Sequence, residues 1–208
     1  KNTQEVIPFL AKGYDFSEDA KILTLYLREG MRWSDGEPFT VDDILFWWND
    51  IVLNEELTPI PPQQWMPGGE LAKFEKIDDY TLQIEFAVPY KPILSILGYF
   101  GSMQQNFFAP AHYVKKWHID YNPDADKLAK EEGFDFWYQC FALHNDISPA
   151  QQDVNLPTIH PWMLEKKTTT GAIYVRNPYF AAVDIAGNQL PYIDKIQDSI
   201  VGSREVLI

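Results

Sequence analysis

Cysteine is almost absent from this chain of 208 residues: Cys140 stands alone, so no disulfide can form within it. The fold must rest on burial instead, and with 46% hydrophobic and 15% aromatic residues the chain has material for a core. Long apolar runs are missing as well. Stretches such as Ile93 to Phe100 fall far short of the ~20 residues that cross a bilayer. Positive charge is scarce, with 17 Lys and Arg against 30 Asp and Glu and a net charge of −13. That balance argues against nucleic acid or an anionic membrane as the main partner. No basic segment followed by an apolar stretch opens the chain at Lys1, so it reads as beginning after any export signal or never having had one. Repeats and low-complexity tracts are lacking. So are a glycine-rich phosphate loop, paired zinc-ligand spacings and a nucleophile elbow.

What is present alternates hairpins and short helices. Val6 to Phe16 reads as an extended lead-in and a short strand. Leu23, Leu25 and Leu27 alternate with Thr24 and Tyr26, the pattern of a half-buried strand. Arg28-Glu29-Gly30 ends it, and Asp35-Gly36 is strong turn chemistry. Thr40 reads as a helix N-cap, with Asp43 as a short-armed capping-box partner. Val41, Ile44, Leu45, Trp48, Ile51 and Val52 then fall at helical spacing, predicting an amphipathic helix to about Leu53. Pro59, Pro61, Pro62 and Pro67 make 58–69 an irregular loop carrying Trp65 and Met66.

Beyond the loop, Phe74 to Ile77 and Thr81 to Phe86 predict a hairpin about Asp78-Asp79. Helices are expected at 92–100, 109–117 and 134–143, with a short polar one capped by Asn122-Pro123 and closed by Gly133. Met163 to Lys167 and Ile173 to Arg176 predict a second hairpin, and Ile193 to Ile200 a last strand. Arg204 to Ile208 reads as the first turn of a further helix. The sum is an α+β chain rather than alternating βα units.

One stretch is more specific than any of these patterns. Leu25-Tyr-Leu-Arg-Glu-Gly-Met-Arg-Trp-Ser-Asp-Gly-Glu-Pro-Phe-Thr-Val-Asp-Asp-Ile-Leu-Phe-Trp-Trp resembles the signature of family 5 extracellular solute-binding proteins. The flanks agree: Ile7-Pro8-Phe9-Leu10-Ala11 before it, and Asn177-Pro178-Tyr179-Phe180 with Gly187-Asn188-Gln189-Leu190-Pro191-Tyr192 after it. The resemblance implies a periplasmic-binding-protein-like fold of type II, cluster C, built as a mixed sheet with hairpins and an inserted helical and β subdomain. It implies a ligand held between two lobes that close and dock on a membrane permease.

Members are longer than this chain, so the resemblance implies part of the first lobe: 1–36 in the central sheet, 37–160 an inserted subdomain, 161–208 the return to the sheet, and the second lobe absent. In peptide binders of the family the acidic group that holds the ligand's amino terminus lies in that second lobe. The segment from Tyr113 to Pro161 is longer than in the simplest peptide binders and looks like a branch with oligosaccharide binders. The implied role is capture of an extracytoplasmic oligopeptide or oligosaccharide by a monomer, periplasmic or lipid-anchored, with no cofactor and no metal.

Trp33, Asp35, Gly36 and Thr40 have complete local explanations as core, turn and cap residues. Trp65 is the foremost ligand candidate, because an aromatic in a proline-rich loop is harder to bury than one on a helix. Met66, Tyr99, Phe100 and Phe107 join it, the last three weighed against core packing, which is also the default for Trp47 and Trp48. Cys140 and His144 lie one helical turn apart and would share a face, but no third group stands at fixed spacing, and His112, His118 and His160 are scattered. A buried thiol beside an ordinary histidine is the reading. Glu131-Glu132, like the other acidic pairs, reads as helix-start charge, turn residues or a solvated face. The competing functions are a carbohydrate-active enzyme using paired carboxylates, and a sensor or adhesion domain reusing the binding fold.

Overall fold

A computed structural model describes residues 9–98, 107–148 and 150–201. Helix and antiparallel sheet are interleaved in two compact units, one formed by Lys1–Gly30 with Phe39–Lys115 and the other by Met31–Pro38 with Lys116–Ile208.

The first unit is organised by a four-stranded sheet in the order β1-β2-β4-β3, with β1 at Ala11–Phe16, β2 at Ile22–Leu27, β3 at Lys73–Asp78 and β4 at Thr81–Glu85. Alternation decides the buried face. Leu23, Leu25 and Leu27 point inward from β2, and Leu82 and Ile84 from β4. Leu23 pairs with Ile84 and Leu25 with Leu82, so their inward sides meet across one ladder. Each such side chain removed from water contributes roughly 1.5–3 kcal/mol before chain entropy is subtracted. β2 lies between β1 and the later β4. The hairpin of 73–85 therefore belongs with the first strands.

Above this sheet, α1 (Val41–Phe46) begins at Thr40, as expected. The Thr40 Oγ1 accepts from the Asp42 N–H at 3.3 Å, and the Asp43 carboxylate accepts from the Thr40 N–H at 2.9 Å. The helix does not run on in α form to Leu53. From Trp47 to Val52 it widens into a π-helix, with the Leu53 N–H donating to the Trp48 carbonyl at 3.0 Å. Both Trp47 and Trp48 are buried there. Among the described residues of this unit, the short helices α2 (Ile93–Gly98) and α3 (Ala111–Val114) follow.

The second unit holds α4 (Ala125–Glu131), α5 (Trp137–His144) and a three-stranded antiparallel sheet β5-β6-β7, at Trp162–Thr168, Gly171–Arg176 and Lys195–Ser199. All described ladders are antiparallel. The expected cap at Asn122-Pro123 falls two residues early. The N-cap of α4 is Asp124, and Asn122 Oδ1 accepts from the Asp124 N–H at 3.0 Å in the turn before it. Asn177 is fully buried and ties the 158–161 loop to the end of β6, its amide donating to the carbonyls of Thr158 at 3.2 Å and His160 at 2.9 Å. Arg204 to Ile208 lies outside the described residues.

Candidate functional site

The proline-rich loop is not loose. Thr58 Oγ1 donates to the Ile51 carbonyl at 2.7 Å, and Gln63–Trp65 forms a 3-10 turn. The Trp65 carbonyl then accepts from the Ala72 N–H at 2.8 Å. These bonds turn the Trp65 ring inward, and only 3% of the residue is exposed.

Hard as an aromatic in such a loop is expected to be to bury, the Trp65 ring is part of a buried aromatic cluster. It stacks on Phe107 at 5.6 Å and 13°, and meets Phe74 edge-on at 5.3 Å and Trp47 at 5.8 Å. Trp48 stacks on Phe74 at 4.1 Å and 16°. The cluster joins the π-helix, the loop and β3, and such ring pairs add about 0.5–1.5 kcal/mol each beyond their area. Met66 and Phe107 are half-buried at its margin. Tyr99 and Phe100 lie outside the described residues. A crevice of about 370 Å³ is lined by Val52, Leu53, Glu55, Thr58, Pro59, Pro61 and Leu71.

The signature turn is closed by local hydrogen bonds. Trp33 is 1% exposed and its carbonyl accepts from the Gly36 N–H at 2.9 Å. Asp35 accepts from the Glu37 N–H at 3.2 Å, and Gly36 adopts φ +94°, which a side chain disfavours.

A second group of chemistry-bearing residues comes together in the other unit. Cys140 and His144 do share a face of α5, and the fold brings them the partners that sequence spacing could not show. Gly133, at φ +90°, reverses the chain after α4 and leaves Glu132 facing α5. His144 Nε2 is 2.8 Å from Glu132 Oε2, and Nδ1 is 2.5 Å from Asp153 Oδ2. Trp117 Nε1 donates to the other Glu132 oxygen at 3.0 Å, and its indole stacks on the imidazole. One ligand atom from each of Glu132, Cys140 and His144 lies within 4.8 Å of the other two.

Electrostatics follow this geometry. Burial alone would lower the His144 pKa, but hydrogen bonds to Asp153 and Glu132 outweigh it and hold the imidazole above its ordinary range. Burial would raise Glu132, and its bonds to His144 and Trp117 hold it below the ordinary range. The Cys140 thiol is pushed up to about 12, first by burial and then by the neighbouring Glu132 charge. The resting thiol is protonated and inert, as a buried cysteine should be. Only the Cys140–His144 spacing is legible in the sequence; Glu132 carries no mark there beyond its acidic neighbour, and Asp153 and Trp117 give no signal.

Residues 5–207 match the family model described as "Bacterial extracellular solute-binding proteins, family 5 Middle". The chain belongs to this family. A family 5 relative, the periplasmic alpha-galactoside-binding protein of Rhizobium meliloti (strain 1021), is 34% identical over 193 residues, which are 92% of this chain and 25% of that protein. Among solved structures, an oligopeptide-binding protein OppA superposes with a TM-score of 0.86 at 40% identity, over 97% of this chain and 31% of that one. The periplasmic binding protein MelB of Agrobacterium fabrum C58, in complex with stachyose, superposes with a TM-score of 0.73 at 29% identity, over 94% of this chain and 27% of its own. The family 5 chain thus spans between a quarter and a third of the length of these relatives. No helix among the described residues is long and apolar enough to cross a membrane.

Proposed function

We propose that the chain is part of the substrate-binding component of an ABC importer, which captures an extracytoplasmic oligopeptide or oligosaccharide and delivers it to a membrane permease. The observation that carries this reading is the family match along nearly the whole chain, joined to the likeness to an oligopeptide binder and to a stachyose-bound protein. In this reading the residues belong to the first lobe of a two-lobed monomer, periplasmic or lipid-anchored. The work done is closure around the solute, a population shift driven by ligand contacts in both lobes, with no covalent step and no cofactor.

Within the chain, Met66 and Phe107 are the ligand-side candidates, being half-buried at the margin of a rigid aromatic cluster. Trp65 acts behind them as support.

The test is mass spectrometry of the solute that co-purifies with the full-length protein, followed by calorimetric titration with stachyose and with a mixed tetrapeptide pool. Saturable binding of either class without turnover supports the reading, and Met66→Ala should weaken it. Conversion of the bound solute to product, or no saturable binding of either class, overturns it. The 208-residue chain alone should bind far more weakly, since the contacts of one lobe are missing.

A further inference from the structure

We propose that Glu132, Cys140 and His144 form a zinc site, with Asp153 and Trp117 holding two of its ligands in place. This does not rest on the transport reading, since the cluster is complete within the second unit. Three donor types converge: a thiol from mid-α5, an imidazole one turn later on the same face, and a carboxylate from the turn after α4. Sulfur, nitrogen and oxygen ligands to one centre are the donor set of zinc rather than of calcium or magnesium, which take oxygen alone.

The supporting contacts distinguish this cluster from a chance meeting of polar groups. A zinc-bound histidine commonly gives its other ring N–H to a carboxylate, which fixes the ring's tautomer and direction. Asp153 Oδ2 occupies that place at 2.5 Å from His144 Nδ1, and Asp153 Oδ1 is itself fixed by the Asn155 N–H at 2.9 Å. That leaves Nε2 aimed at Glu132. The Glu132 carboxylate is fixed in turn, because Trp117 Nε1 holds Oε1 at 3.0 Å and leaves Oε2 toward His144. The Trp117 indole, 3.6 Å from the imidazole and 14° from parallel, stops the ring from turning away. Cys140 is fully buried on one side, while Glu132 is partly exposed and gives the ion a way in.

Tetrahedral zinc with bonds of about 2.0–2.3 Å sets its ligand atoms roughly 3.5 Å apart. The 2.8 Å contact between Glu132 and His144 must open slightly, and all three ligand atoms already lie within 4.8 Å of one another. Such a move lies within side-chain adjustment. The fourth position is left to water or a further group.

The experiment uses the full-length protein, stripped with a chelator and titrated with zinc chloride by calorimetry in buffers of different ionisation enthalpy. Cobalt chloride is then added in a parallel sample as a spectroscopic probe. The expected results are one saturable site absent from Cys140→Ser, proton release on binding as the thiol ionises, and a near-ultraviolet sulfur-to-cobalt charge-transfer band lost in that variant. Asp153→Asn should weaken zinc binding about 10–100-fold while keeping the band. Should His144→Gln fail to fold, Cys140→Ser and Asp153→Asn still decide the matter. Equal zinc affinity in wild type and Cys140→Ser, or no sulfur-to-cobalt band in the wild type, overturns the proposal.

Discussion

The indole of Trp117 and the imidazole of His144 lie face to face, their centroids 3.6 Å apart and their planes 14° from parallel. Trp117 thereby serves two ends at once, since its Nε1–H also donates to Glu132. The two contributions are separable by mutation. Trp117→Phe keeps a ring against His144 and loses the donor, and should cost about 1 kcal/mol. Trp117→Ala removes both and leaves a cavity, and should cost about 3–5 kcal/mol. Urea unfolding of the two variants measures the difference, and equal losses would mean that the stacked ring contributes nothing of its own.

Thr40 and Asp43 satisfy N–H groups at the start of α1 reciprocally. Thr40→Ala should destabilise by about 1 kcal/mol, and Thr40→Ser by much less. Thermal unfolding of the pair checks this. A larger loss in the serine variant than in the alanine one would point to the Thr40 methyl rather than its hydroxyl.

These two cases mark how far the sequence could be read. Cap, turn and strand are local patterns: Thr40 with Asp43, Asp35 with Gly36, and the alternating Leu23, Leu25 and Leu27 announce themselves over a few residues, and the structure has them in those roles. The Trp65 environment is not local. Its ring is buried by Phe74 from β3 and by Trp47 from the π-helix, and no property of a proline-rich loop records that those rings lie above it. The histidine cluster failed to show for the same reason. Glu132 and Asp153 stand 12 and 9 residues from His144 on either side, joined to it by chain reversals and not by periodic spacing.

Trp65 is a core residue, and its replacement should act first on stability. Trp65→Ala is expected to cost about 3–5 kcal/mol. Trp65→Phe, which retains a ring against Phe107 and Phe74, should cost less than half of that. Differential scanning calorimetry reads both. A Trp65→Ala variant of wild-type stability that had lost only solute affinity would place the ring at the ligand instead.

Gly36 combines φ +94° with a close neighbour, as an added Cβ would lie 3.2 Å from Tyr179 Oη. The Tyr179 ring is 44% exposed and can swing aside, whereas the backbone angle cannot. Gly36→Ala should therefore cost about 1–2 kcal/mol, and adding Tyr179→Ala should restore little of it. Chemical denaturation of the single and double variants tests this, and full recovery in the double variant would assign the loss to the contact.

Asp184 gathers four donors: the Tyr192 hydroxyl, the Asn188 side-chain amide at 2.9 Å, and the backbone N–H groups of Asn188 and Ala186 at 2.8 Å. The Tyr192 bond first, then those of Asn188, hold its carboxyl well below the usual aspartate range. A lowered folded pKa contributes stability above the unfolded value of about 3.9, and that contribution is lost as pH falls through the lower folded value. The 183–192 loop should accordingly keep its order at pH 4 and loosen only in stronger acid. A carboxyl-carbon NMR titration in which Asp184 protonates at or above the ordinary aspartate value would contradict this.

The strand β7 has a neighbour on one side alone among the described strands, and around it Tyr192, Ile193 and Ile200 stand exposed. A free row of backbone donors and acceptors bordered by oily side chains is a template for pairing with any similar row. Produced in isolation, these residues would tend to clump by joining such borders, so that charge or proline placed along Lys195–Ser199 would be the first remedy for handling them in concentrated solution.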